Sequence, residues 1–263
     1  MLKKLICLAC ALLTLILPAM AEEAVTEIEE TLMLTDDGEA IVISEETDSG
    51  YDQTARNDFI DRIIALGYDL YVKADGKAQR AHYAGDIYVC KNFTTYLFRK
   101  NRDDFRMAEY PDKQLIIPNN LPSSECKPYY YGMFWEEKTA AQGNPFEVAA
   151  QFLYDSGLSE EENLALACDF MRQARRGDFF QMSAQYEYGT GAHSAIIIED
   201  YDPAADAIHW MDSNMRGGKR DGIRYGLVQY DEVKSVEWWA TAFCLKTRGA
   251  TLYRLRDDII YAP

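Results

Sequence analysis

The chain has 263 residues, 48% of them hydrophobic, with 27 basic and 43 acidic side chains and a formal net charge of −16. That length suffices for one well-buried domain. A surface this acidic repels nucleic acid and anionic lipid, which excludes nucleic-acid binding as a main role.

The chain opens M-L-K-K, continues in an apolar run from Leu5 to Leu17 and then reads P-A-M-A. A basic start, a short apolar stretch and small residues at Ala19 and Ala21 predict a secretory signal over 1–21, cut after Ala21. The run is short of the roughly 20 apolar residues of a membrane span, so the mature chain is expected to be secreted, free of the membrane. Cys10 sits mid-run rather than at its end, which argues against a lipid-modified cysteine. Without Lys3 and Lys4 the balance is 25 basic to 43 acidic residues, a net charge near −18.

From Glu22 to Asp52 there are twelve acidic side chains and no basic one. A block of like charge predicts a solvated, disordered segment over 22–53, a tether or a pro-segment. Its short apolar runs at Leu32–Leu34 and Ala40–Ser44 are the places where an edge strand could form.

The folded domain is expected over 54–263. Phe59, Ile60, Ile63 and Ile64 make a helical stripe, with Gly67 as its stop. The next helix should carry Cys90 in its first turn, with Asp86 as N-cap, and run to about Phe105; Phe93, Thr94 and Leu97 then share a face with Cys90. Leu115–Ile117 reads as extended, ended by Pro118. Five of the seven residues from Tyr129 to Trp135 are aromatic. Large aromatics dominate burial, so this patch reads as core or inter-lobe packing ahead of a groove lining. Pro145 should open a helix to Tyr154. Ser159 and Glu162 form a capping box for a helix from Glu160 to about Arg176, ended by Gly177, with Cys168 on its packing face.

After Gly177 the period shortens toward that of strands, predicted at Asp178–Met182, His193–Ile198, Ala207–Asp212, Arg224–Tyr230, Ala242–Lys246 and Thr251–Leu255, with a short helix within Tyr230–Trp239. Helices first and an antiparallel sheet after them is an α+β layout.

Four cysteines remain after the signal: Cys90, Cys126, Cys168 and Cys244. None is in CxxC or other metal-ligand spacing, and there are only three histidines, so no metal or cofactor is expected. One bridge among Cys126, Cys168 and Cys244 is compatible with the count. Cys90 has two readings. A thiol among Phe and Leu is ordinarily core, but a helix N-terminus favours the thiolate and so makes a nucleophile. A thiolate needs a base, and the base needs an orienting group. His193 opens an apolar strand after a glycine-rich loop and is the best base. On the following strand Ile208, Trp210, Asp212 and Asn214 share one face, and His209 and Met211 share the other. Asp212 or Asn214 can then reach His193. His209, on the other face, is the alternative third member.

A helix cysteine, a Gly-Asp-led strand (G-D-F-F-Q-M from Gly177), a histidine-led apolar strand (H-S-A-I-I-I from His193) and an acid-x-Asn ending (Asp212-x-Asn214) follow in order. This order resembles the NlpC/P60 and CHAP branch of papain-like cysteine hydrolases over roughly Thr54 to Lys246. The setting of the nucleophile, V-C-K-N from Val89 to Asn92, differs from the family's Asp-Cys-Ser/Gly. The resemblance implies a papain-like fold with N-terminal helices on an antiparallel sheet. It also implies a Cys90–His193–Asp212/Asn214 triad, an oxyanion contact from the Cys90 main-chain N–H, and peptide or peptidoglycan amides as substrate. Transglutaminase-like acyl transfer would use the same residues, because it too passes through a thioester. A non-catalytic papain-like shell with the Tyr129–Trp135 patch as its contact surface is the third expectation. The sequence is silent on oligomeric state.

Overall fold

The computed structural model describes residues 50–81, 87–117, 143–186, 189–246 and 248–263, together with two strands in the acidic segment. The expected signal, Asp86, Cys126 and the aromatic patch from Tyr129 to Trp135 lie outside the described residues. The chain divides into two units, Met1–Ser49 and Gly50–Pro263. In the first, β1 (Thr31–Leu34) and β2 (Ala40–Ile43) pair antiparallel with each other as a two-stranded sheet. The two apolar runs thus pair with one another.

In the second unit, α1 (Thr54–Ala74) is followed by β3 (Gln79–Ala81), α2 (Cys90–Asn101), β4 (Phe105–Met107) and β5 (Phe146–Leu153). Then come α3 (Glu160–Met171), β6 (Phe179–Tyr186), β7 (Gly189–Ile197), β8 (Ala207–Asn214) and β9 (Lys219–Arg220). The unit closes with β10 (Ile223–Ser235), α4 (Val236–Phe243), β11 (Gly249–Leu255) and β12 (Ile259–Tyr261). The main sheet runs β3-β10-β8-β7-β6-β11-β5, with β9 added on β10; every pairing is antiparallel. The mixed α+β architecture with an antiparallel sheet is therefore as expected.

Helices cover both faces of that sheet, because its strands carry large apolar side chains in adjacent pairs and successive side chains alternate faces. Phe179, Ile196, Met211 and Tyr253 join Phe59 and Ile63 of α1 and Phe93, Leu97 and Phe98 of α2 in one core. Their neighbours Phe180, Ile197, Trp210 and Leu252 join Met171 of α3 and Trp239 and Phe243 of α4 in the other. Cys168 lies in that second core, as its helical position predicts; Cys168 and Cys244 are free thiols.

Four expectations are corrected. Gly67 does not stop α1: it lies inside the helix, where a Cβ would sit 2.2 Å from Met211 Sδ, so glycine allows the helix to approach the sheet. The segment after Pro145 is a strand, not a helix. Leu252 pairs with Ala150 and Tyr253 with Val148, so Ala149 is an extra residue, a bulge. The bulge turns Phe146 and Val148 toward the first core and Ala150 and Phe152 toward the second, so residues two apart in the sequence serve opposite faces of the sheet. The helix from Glu160 ends at Met171, though its capping box forms as expected, with Ser159 Oγ accepting from Glu162 N–H at 3.1 Å. Ala242–Lys246 is not a strand: β10 extends to Ser235, whose side chain caps α4, and α4 continues to Phe243.

One buried ion pair ties the turn before β6 to β11. Asp178, fully buried, accepts from Arg254 Nε and Nη2, each at 2.9 Å, and from the Arg175 N–H at 2.9 Å.

Candidate active site

Cys90 is the first residue of α2. Its N-cap is Val89, in extended conformation and without a side-chain cap bond; the first turn holds no acidic residue. The contrast with α3, which has three glutamates in its first turn and a capping box, is physical. Carboxylates neutralise the N-terminal field of α3, whereas that of α2 is left to act on the thiol. The face of the helix that Cys90 shares is anchored in the core by Phe93, Thr94 and Leu97, all fully buried.

The turn leading into Cys90 is held by the sheet. Tyr88 C=O accepts a hydrogen bond from Ser213 Oγ at 3.0 Å. A Cβ on Gly226 would lie 2.2 Å from that same carbonyl oxygen. Strands β8 and β10 therefore grip the main chain two residues before the cysteine, and glycine at 226 makes room for it.

His193 reaches the site from β7. The β7–β8 ladder is formed at Ile197↔Trp210 and Ile196↔Met211 and stops there. Beyond it the strands diverge, leaving an opening flanked by His193 and Asp212. His193 Nε2 lies 2.7 Å from Asp212 Oδ2 across this opening. Since Asp212 takes Nε2, the ring nitrogen that remains for Cys90 is Nδ1; thiol and imidazole share a side-chain hydrogen bond.

The same divergence releases a donor. Ile198 N–H bonds His209 C=O across to β8. Main-chain N–H groups of alternate residues point the same way, so Ser194 N–H also faces the β8 side. With no β8 partner at that level, it bonds the Cys90 sulfur, as does the N–H of Lys91.

Asp212 is 2% exposed, yet both its oxygens are engaged. Oδ2 takes His193 and a longer 3.4 Å bond from Trp210 Nε1; Oδ1 accepts from Asn214 Nδ2 at 3.2 Å. Asn214 Nδ2 also donates to Gln229 Oε1 at 2.5 Å. The shared strand face of Trp210, Asp212 and Asn214 is thus as the alternation predicts. Asp212 contacts the imidazole, Asn214 steadies Asp212, and His209 is elsewhere, with its Nδ1 2.7 Å from Asp231 Oδ1.

The electrostatics follow from these contacts. Burial pushes the Cys90 thiol up, but the His193 hydrogen bond and charge and the N–H groups of Ser194 and Lys91 outweigh it, and the net shift is downward from 9.0. Burial pushes the His193 imidazolium down; the charge and hydrogen bond of Asp212, with Cys90 adding to them, raise it to about 10. Both directions favour a thiolate beside an imidazolium at neutral pH.

The Ser194 N–H and the Ser213–Gly226 clasp on Tyr88 were not anticipated from the sequence. A glycine inside the strand pattern Arg224–Tyr230 is the one signal that pointed to a close main-chain approach. Among the described residues no group of His, Cys, Asp and Glu could hold a metal ion, and no helix is long and apolar enough to cross a membrane. Fold and site together define an α+β protein with a cysteine, a histidine and a carboxylate in hydrogen-bonded series. Compared with known proteins, the chain matches no protein-family model, no curated protein and no solved structure.

Proposed function

We propose that the protein is a papain-like cysteine hydrolase that cleaves amide bonds with Cys90 as nucleophile, His193 as base and acid, and Asp212 as the group that orients the imidazole. The observation that carries this reading is the hydrogen-bonded series Cys90–His193–Asp212, with 2.7 Å between His193 Nε2 and Asp212 Oδ2. A buried acid paired with a buried histidine beside a half-buried thiol at a helix N-terminus puts three titratable groups in series, as functional sites do.

The Cys90 thiolate attacks the amide carbon, forming the C–S bond and pushing the carbonyl electrons onto oxygen. The N-terminal main-chain N–H of Cys90 is suited to receive that oxyanion. The His193 imidazolium gives its Nδ1 proton to the leaving nitrogen as the C–N bond breaks, leaving a thioester. Water then attacks the thioester carbon, His193 takes its proton, and the sulfur departs as thiolate. Asp212 holds the ring and stabilises its charge through both halves.

The signal-like residues 1–21 support a secreted enzyme, and the resemblance to NlpC/P60 and CHAP hydrolases supports peptidoglycan stem or cross-link peptides as substrate. The test is amide release from muropeptides and from casein by the chain beginning at Glu22. Activity should fall to background in Cys90→Ala; turnover equal to wild type in that variant overturns the proposal.

A further inference from the structure

Gln181 on β6 is fully buried, and neither its Nε2 nor its Oε1 has a hydrogen-bond partner among the described residues. Ser194 Oγ, equally buried, also has none there. The two residues stand directly opposite each other in the β6–β7 register. Directly opposed residues of an antiparallel pair project on one face. Gln181 is two residues from Phe179 and Ser194 two from Ile196, so that face is the one packed on α1 and α2. The main-chain N–H of Ser194 is bonded to the Cys90 sulfur.

The row continues away from the cysteine through Thr251, opposite Gln181, to Gln151, and there the polar groups satisfy each other: Gln151 Nε2 donates to Thr251 Oγ1 at 3.4 Å. The unmet hydrogen-bonding capacity is therefore concentrated at the end of the row nearest the sulfur. Buried polar groups are nearly always paired, and a hydrocarbon of the same shape would cost less here.

We infer that Gln181 and Ser194 bind an amide group of the substrate beside Cys90. The amide is a primary carboxamide, whose C=O and one N–H lie on one edge: Gln181 Nε2 donates to its oxygen, Gln181 Oε1 accepts that N–H, and the Ser194 hydroxyl completes the contact. A carboxamide offers one donor side and one acceptor side, which matches an amide and leaves half of itself unmet against an ester, an ion or a hydrocarbon. This inference rests on the thiol-hydrolase reading, and it assigns substrate-positioning residues to that same site.

The test compares two thiol reagents on the folded chain, followed at the Cys90 peptide by mass spectrometry: iodoacetamide, which carries an amide, and 2,2′-dithiodipyridine, which carries none. Gln181→Leu should slow iodoacetamide about tenfold or more, the scale of one lost buried hydrogen bond. It should leave the dithiodipyridine rate within about twofold and the thermal midpoint equal or higher. Ser194→Ala should show the same selectivity more weakly and serves where the Gln181 variant does not fold. Equal effects on both reagents, no effect on either, or a lowered midpoint with unchanged rates overturns the inference; the last would mark a structural water. A wild-type dithiodipyridine rate no faster than that of the unfolded chain sinks the hydrolase reading itself, and this inference with it.

Discussion

His193 and Asp212 meet at 2.7 Å where their own strands have ceased to pair. The ladder between β7 and β8 ends at Ile196 and Met211, and the side chains of Asp212, next after Met211, and His193, three residues before Ile196, meet beyond that end. That single divergence gives the imidazole its orienting carboxylate and frees the Ser194 N–H for the Cys90 sulfur. A continuous sheet would have consumed both positions in ordinary ladder contacts.

Asp212→Asn should keep the fold and disable the site. An amide in its place no longer stabilises the imidazolium, so turnover falls on the order of 10³- to 10⁴-fold. The pH midpoint of Cys90 alkylation rises toward the ordinary thiol value. Asn214→Ala, which removes the bond to Asp212 Oδ1 together with those to Gln229 and the Arg216 N–H, should cost about tenfold, the scale of an outer partner that orients a functional group. Alkylation profiles and steady-state rates on the two variants check both. An Asn214 effect as large as that of Asp212 would reverse their assigned roles.

Gly226→Ala should damage the site from behind. The added methyl meets the Tyr88 carbonyl oxygen at 2.2 Å, which is main chain and cannot rotate away. Such overpacking costs about 1–3 kcal/mol and shifts the turn that carries Cys90. Urea unfolding and the Cys90 alkylation rate should fall together.

The coupled pair has a pH signature. His193 has a folded value of about 10 against an ordinary 6.5, so its contribution to stability is complete below 6.5 and is lost as pH rises toward 10. Cys90 runs the other way: its lowered value gives stability that is complete above 9.0 and is lost as pH falls through the folded value. In wild type the two oppose each other over the window they share. Cys90→Ser leaves the histidine alone, so its stability relative to wild type should decline from pH 6.5 to 9, by up to about 1.4 kcal/mol per pH unit. Denaturant titrations at several pH values read this directly, and a difference independent of pH would contradict it.

Arg254→Met should destabilise by about 3–5 kcal/mol, because it leaves the fully buried Asp178 carboxylate without its bidentate partner. Urea unfolding measures this. The variant's Cys90 should stay reactive while folded, since neither member of the pair touches the cysteine, the histidine or Asp212.

Much of this arrangement was legible in the sequence because it is local. Cys90 opening a helix, His193 on an apolar strand, and Asp212 alternating with Trp210 are matters of spacing within one element. What spacing could not convey is where two elements depart from their ideal partners. The Ala149 bulge reverses the face of β5 midway, so neither face of the strand is buried from end to end, and apolar residues on both sides of the bulge read as a helix. Gly67 reads as a stop because glycine is a poor helix former, yet its value lies in contact with Met211, 144 residues on. The Ser194 N–H belongs to the site only because a neighbouring strand ends its pairing early, and no residue in the sequence marks that end.

The proposed mechanism requires the Cys90 thiol to be ionised by His193 at neutral pH. The most direct measurement is the rate of Cys90 alkylation by iodoacetamide from pH 4 to 10, followed on its own peptide in the folded chain. The rate should rise at a midpoint below the ordinary 9.0 and exceed that of the unfolded chain at pH 6, with the low-pH rise lost in His193→Ala. A single rise near 9.0, unchanged by His193→Ala, would show an ordinary buried thiol and contradict it.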